Sequence, residues 1–187
     1  MPLSAEAVQE QGRKYVQYVN EFFTNIARFG ESLPIWSPAG NAYTNPRMVK
    51  IPIKDGEDIN FDLCYTLLEK EIGKPIIQLY VEAKGSYDIS YVEKEFRAFM
   101  RKIFILKDKL LNADWEQTHF IFIAPVNPTS CANPKQLTDF NQLKSLYQEI
   151  YKGKIDSDND KFIHEISKRI HIVQLPYENE IIFKGGA

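Results

Sequence analysis

The chain has 187 residues, 44% hydrophobic and 26% charged, which suits one folded domain, and its 13% aromatic content argues against disorder. No apolar run approaches the ~20 residues of a membrane helix, and the opening MPLSAEAVQEQGRKYV has no secretion-signal pattern. Cys64 and Cys131 are too few for a disulfide framework, so a cytoplasmic protein is expected, and the net charge of −2 neither requires nor excludes a nucleic-acid partner.

In chain order, residues 5–29 read as an amphipathic helix. Val8, Tyr15, Val19, Phe22, Phe23 and Ile26 recur at helical spacing, Ser4 suits the N-cap and Gly30 the end. Residues 31–47 hold three prolines, a glycine and two asparagines and predict a loop. MVKIPI at 48–53 predicts a short strand, which Pro52 confines to an edge or an end. Asp55-Gly56 gives a turn.

Residues 59–68 alternate, with Ile59, Phe61, Leu63, Tyr65 and Leu67 on one side and Asn60, Asp62, Cys64, Thr66 and Leu68 on the other. After EKEIGK, residues 75–84 alternate again. Ile77, Leu79, Val81 and Ala83 make the apolar side, and Gln78, Tyr80, Glu82 and Lys84 the polar one. Two such strands joined by a short glycine-containing link predict an antiparallel hairpin. Opposed residues share a face, so apolar odd positions must pair with odd, and even with even. With the turn centred near Ile72, Asp62 falls opposite Glu82, and Lys84 lies two residues further on the same face.

Beyond Gly85 and Ser86, Ser90-x-x-Glu93 resembles a capping box. Val92, Phe96, Phe99, Met100, Ile103, Leu106 and Leu110 predict the buried stripe of the helix that follows, with Lys94, Arg97 and Arg101 on a separate basic stripe. THFIFIAP at 118–125 predicts a strand covered on both faces. Then come a loop at 126–136, a helix over 137–152, a polar linker, a short helix over 160–169, a strand at 170–176 and a possible last strand at 180–185. The order predicts an α/β fold, a mixed central β-sheet flanked by helices, as a single domain over 1–187.

Helix, strand, an Asp-bearing strand, a strand ending in Glu82-Ala83-Lys84, helix and apolar strand together resemble the core of the PD-(D/E)xK nuclease superfamily, which includes the restriction endonucleases. The resemblance covers about residues 5–125, leaving 137–185 as C-terminal helices and strands; Phe61 stands where the family's motif often has Pro. It implies a restriction endonuclease-like core and a nuclease hydrolysing phosphodiester bonds, most simply of DNA, in restriction, repair or phage defence. It further implies Asp62, Glu82 and Lys84 as catalytic residues and Mg²⁺ (or Mn²⁺) held by Asp62, Glu82 and Ala83. A Glu on the first helix sometimes joins them, and Glu21 or Glu10 are the candidates.

These residue types suit that chemistry. Mg²⁺ prefers oxygen ligands, lowers the pKa of bound water and polarises a phosphodiester. Lys84 can stabilise the charged transition state, or deprotonate the water if its pKa is depressed. Gln78, Tyr80 and Ser86 are available for supporting or substrate contacts, and Lys94, Arg97 and Arg101 for backbone phosphates. A homodimer is expected if duplex DNA is cut on both strands. The competing reading is a non-catalytic nuclease-like module that binds nucleic acid or a protein partner, with Asp62, Glu82 and Lys84 on a solvated sheet face.

Overall fold

The computed structural model describes residues 5–29, 35–41, 49–53, 58–68, 75–110, 115–128, 137–152 and 157–177. The long amphipathic segment forms α1 (Ala5–Phe29), whose buried stripe includes Tyr15, Val16 and Val19. Inside the segment expected to be a loop lies β1 (Ile35–Asn41). It pairs antiparallel with β4 (Leu63–Leu68), with an irregularity between Pro38 and Gly40. A proline and a glycine are tolerated here because a terminal strand of the sheet needs its ladder on one side only. β2 (Lys50–Pro52) is the short strand expected, paired with β3 (Asp58–Asn60) in a separate two-stranded sheet.

The hairpin partner of β4 is β5 (Pro75–Ala83), and the register Leu63↔Val81, Tyr65↔Leu79, Leu67↔Ile77 is the odd-with-odd pairing expected. Two features differ. The alternating run is two strands rather than one, broken at Phe61–Asp62, and its parity slips there. Ile59 and Phe61 share a core with Cys64 and Tyr80, whereas Leu63 and Tyr65 pack on the opposite face. The even side of the hairpin is therefore a second interior rather than a solvated face. Cys64 is fully buried and Tyr80 stacks with Phe120 inside it.

After β5 comes α2 (Ile89–Ile105), capped by Asp88, whose carboxylate accepts from Ser90 and Tyr91 N–H. Asp88 caps because its backbone is extended and already outside the helix, where its side chain reaches the first-turn N–H groups, so Ser90 falls inside. The apolar stripe is as expected, although the helix pauses at Leu106 before the short α3 (Lys107–Leu110). β6 (Thr118–Ala124) lies parallel to β5 and is almost wholly buried. α4 (Phe140–Tyr151) and α5 (Ser157–Ser167) follow, and β7 (Ile170–Gln174) pairs parallel with β6. α5 begins earlier than the composition predicts, because Asp158 and Asp160 sit in its first turn and favour its positive end.

The result is a mixed sheet of order β1-β4-β5-β6-β7. α1 packs on one face around Leu63, Tyr65, Val81 and Ile123. On the other face α2, α4 and α5 enclose an aromatic-rich core that includes Phe61, Phe99, Phe122 and Phe162. Among the described residues no helix is long and apolar enough to cross a membrane. Ser4, Gly30, Cys131, the EKEIGK link and the strand expected at 180–185 lie outside the described residues.

Candidate functional site

The site begins at the break between β3 and β4. Asp62 N–H donates to Val81 O at 3.0 Å, although Val81 is already the partner of Leu63. Two residues thus face one, as in a β-bulge, a device that re-aims a side chain. The Asp62 side chain then takes the place of the missing ladder carbonyl, its Oδ2 accepting the Ala83 N–H at 2.9 Å. This turns the carboxylate across the end of β5 toward Lys84.

Around Lys84 the charges converge. Its Nζ lies 2.7 Å from Glu82 Oε1, 3.7 Å from Asp62 Oδ2 and 3.6 Å from Glu95 Oε2. The second Glu82 oxygen, Oε2, accepts from Lys102 Nζ at 2.7 Å. That ammonium also donates to Asn60 O at 2.8 Å and sits over the Phe61 ring. Glu82 is buried, so two cations share its charge where water cannot. The three expected residues are together, and α2 adds Glu95 and Lys102, one helical face apart by two turns.

Titration follows from this crowding. Burial and the neighbouring Glu82 push the Asp62 carboxyl above its ordinary value, partly opposed by Lys84, the Ala83 N–H and Lys102. Burial alone would depress Lys84, but Glu82 and Asp62 outweigh it and hold the ammonium above the ordinary lysine range. The condition for Lys84 to act as a base is therefore not met in this arrangement. The ammonium form is the favoured one here.

Asp62 and Lys84 open onto a cavity of about 590 Å³ between α1 and the β5–α2 junction, walled by Gln9, Gln11 and Arg13 opposite Tyr91. At its edge Gly85 lets α1 approach closely. Gln11 Nε2 donates to Gly85 O at 3.2 Å, and a Cβ at Gly85 would strike Tyr15. Ser86 lines the cavity, with its Oγ accepting from Asp88 N–H. Ala83 turns its methyl into the α1-side core and could offer a cation only its backbone carbonyl.

Other expected contacts lie elsewhere. Glu21 accepts from Gln17 on the exposed face of α1, and Glu10 pairs with Arg13 and Lys14. Gln78 is about 20 Å along the strand from Lys84, its amide donating to Cys64 Sγ. Tyr80 is core. Arg97 is spent on Glu93 and Glu149, while Lys94 and Arg101 are exposed outside the cavity lining.

The donor set suits a hard divalent cation in kind, since Asp62 and Glu82 supply carboxylate oxygens and Glu95 a third nearby. As arranged, the ammoniums stand between these carboxylates. Among the described residues no three His, Cys, Asp or Glu side chains are spaced to share an ion. The sequence matches no known protein family, and no curated protein matches it.

Proposed function

We propose that this protein is a divalent-metal-dependent phosphodiester hydrolase with a restriction endonuclease-like core, acting on nucleic acid and most simply on DNA. The observation that carries the reading is the grouping of Lys84 with Asp62 and the buried Glu82, the first two of which line an open cavity. Further support comes from the order α1–β1–β4–β5–α2–β6, in which three antiparallel strands precede a helix and a parallel strand. The resemblance takes its first strand from 48–53, whereas in the structure that segment pairs with β3 in a separate sheet and β1 flanks β4 in its place.

In this reading Asp62 and Glu82, with the Ala83 carbonyl, hold Mg²⁺ or Mn²⁺. When bound, the cation supplies acidification of a water and polarisation of the phosphodiester. The protein's own contribution is electrostatic. Lys84, a fixed cation, lies where negative charge grows on the phosphoryl oxygens. Lys102 keeps Glu82 aimed when Lys84 turns to the substrate, and Asp62 stays fixed by the Ala83 N–H.

The test is cleavage of DNA and RNA with Mg²⁺ or Mn²⁺, comparing the parent chain with Glu82→Gln and Lys84→Ala. Loss of cleavage in both variants with retained fold is the expected result. Cleavage that survives in both sinks the assignment. A second reading, a non-catalytic nucleic-acid-binding module, is favoured by the two lysines already saturating Glu82. Calorimetry with Mn²⁺ separates the two, because only the hydrolase binds the cation through Asp62 and Glu82.

A further inference from the structure

Two ammoniums serve the buried Glu82, and they are anchored differently. Lys102 Nζ donates to Glu82 Oε2 at 2.7 Å and to Asn60 O at 2.8 Å, and it lies over the Phe61 ring. Among the described residues, the partners of Lys84 Nζ are all carboxylates: Glu82 Oε1 at 2.7 Å, Glu95 Oε2 at 3.6 Å and Asp62 Oδ2 at 3.7 Å. Lys84 also lines the open cavity, and Lys102 does not. Of the two, Lys84 is the one with room to move.

A divalent cation held by Asp62 and Glu82 draws on the same two carboxylates that Lys84 now bridges. Two cations drawn to one carboxylate oxygen repel strongly where water is scarce, and the Glu82 side chain is only 6% exposed. Cation entry therefore requires the ammonium to leave Glu82 Oε1. An ammonium that swung out into solvent would give up its attraction to the cluster.

Glu95 offers a nearer destination. Its Oε2 is close enough to attract the ammonium but just too far for a hydrogen bond, so a shift of under about 1 Å completes the contact. Lys84 is the only ion-pair partner of Glu95 among the described residues. The helix that carries Glu95 is pinned, since Val92, Phe96 and Phe99 of the adjoining turns are buried in the core. Glu95 is also the carboxylate left over once Asp62 and Glu82 serve a cation and Lys102 stays on Glu82.

We propose that Glu95 is a positioning residue that takes up the Lys84 ammonium when a divalent cation claims Asp62 and Glu82. It eases cation entry and keeps the ammonium beside the cavity. This rests on the hydrolase reading for the cation and adds how its place is cleared.

The test is calorimetric titration of the full chain with Mn²⁺, in the parent, Glu95→Gln, Lys84→Met and the double variant. Circular dichroism verifies each fold. Lys84→Met keeps the stem and removes the competing ammonium, so it is expected to tighten Mn²⁺ binding. Glu95→Gln is expected to weaken binding roughly 3- to 20-fold in the parent, and that loss should shrink at least about threefold in the Lys84→Met background. An equal loss in both backgrounds marks a fixed charge acting at a distance, and a larger loss without the ammonium marks a direct ligand. Either result overturns the inference, as does parent-like affinity in Glu95→Gln or unchanged or weaker binding in Lys84→Met. The expected coupling without cleavage of DNA or RNA would overturn the hydrolase reading alone. No Mn²⁺ binding to any of the four forms overturns both.

Discussion

Gly85 stands where β5 runs out and α1 passes over it, and replacing it with alanine tests how the cleft is held. A Cβ there would lie 2.5 Å from Tyr15 Cβ and 2.8 Å from Tyr15 Cγ. Tyr15 Cβ is bonded to the α1 backbone, so no rotamer change can withdraw it. The ring is fully buried, and its hydroxyl donates to Leu175 O at 2.8 Å, tying α1 to the chain beyond β7. The clash must therefore be relieved by moving α1 or the end of β5. Overpacking of this kind costs about 1–3 kcal/mol. At roughly 2–4 °C per kcal/mol for a domain of this size, Gly85→Ala is expected to lower Tm by about 2–12 °C. Thermal unfolding followed by circular dichroism measures it. Amide exchange should show faster opening in the Gln11–Val19 segment of α1, whose contact with Gly85 O is disturbed. A Tm within about 1 °C of the parent, with exchange unchanged, would refute the close-approach argument.

Four further outcomes are expected. Because Asp62 is held above its ordinary pKa, the native chain binds more protons than the unfolded one in that window, and stability falls as pH rises through it. Asp62→Asn, which keeps an acceptor for Ala83 N–H, should raise Tm at pH 7, with the gain disappearing below about pH 4; a lower Tm at pH 7 contradicts this. Lys102→Met removes a cation that opposes the rise at Asp62, so the Asp62 carboxyl should titrate at higher pH by ¹³C NMR, and Lys102→Arg should restore it. Arg97→Ala breaks only exposed pairs and should leave Tm and nucleic-acid affinity unchanged, whereas a clear loss of affinity would return the basic helix face to the binding surface. His119 and His171, hydrogen-bonded at 3.0 Å, are both held below the ordinary histidine value, chiefly by burial. The unfolded chain therefore takes up more protons below about pH 6.5. Stability should fall on acidification through that range, and His171→Gln should lessen the fall in a pH series of denaturant midpoints.

Much of the frame was legible because period and parity are local properties. The odd-with-odd register of β4 and β5 followed from which residues had to share a face, and the apolar run at 118–125 announced a central strand. β1 was missed because Pro38 and Gly40 carry the composition of a loop, and only pairing with β4 makes that stretch extended. The slip at Asp62 was hidden for a related reason. Ile59, Phe61, Leu63 and Tyr65 keep perfect alternation, yet the bulge divides them between two cores, and both cores accept apolar side chains. In the site, Asp62, Glu82 and Lys84 were readable as one cluster. Glu95 and Lys102 were not, since each looks like one more charge on a helix with many. Their seven-residue spacing beside the buried stripe was the available signal. The basic stripe of Lys94, Arg97 and Arg101 was the more regular pattern, but Arg97 pairs with Glu93 on α2 and Glu149 on α4, and Lys94 and Arg101 are exposed outside the cleft.

Every charged member of the cluster, from Asp62 to Lys102, belongs to one continuous stretch of chain comprising the hairpin and α2. The opposite wall comes from α1, far away in sequence. Chemistry and enclosure are thus separate modules in assembly. The ion-paired cluster needs only short loop closures, while the cleft also needs the N-terminal helix to close across a longer loop, at a higher entropic cost. Evolution can therefore reshape the N-terminal wall, and with it what enters, while leaving the charged centre intact. Damage to the α1 contact at Gly85 should cost selectivity before it costs the centre itself.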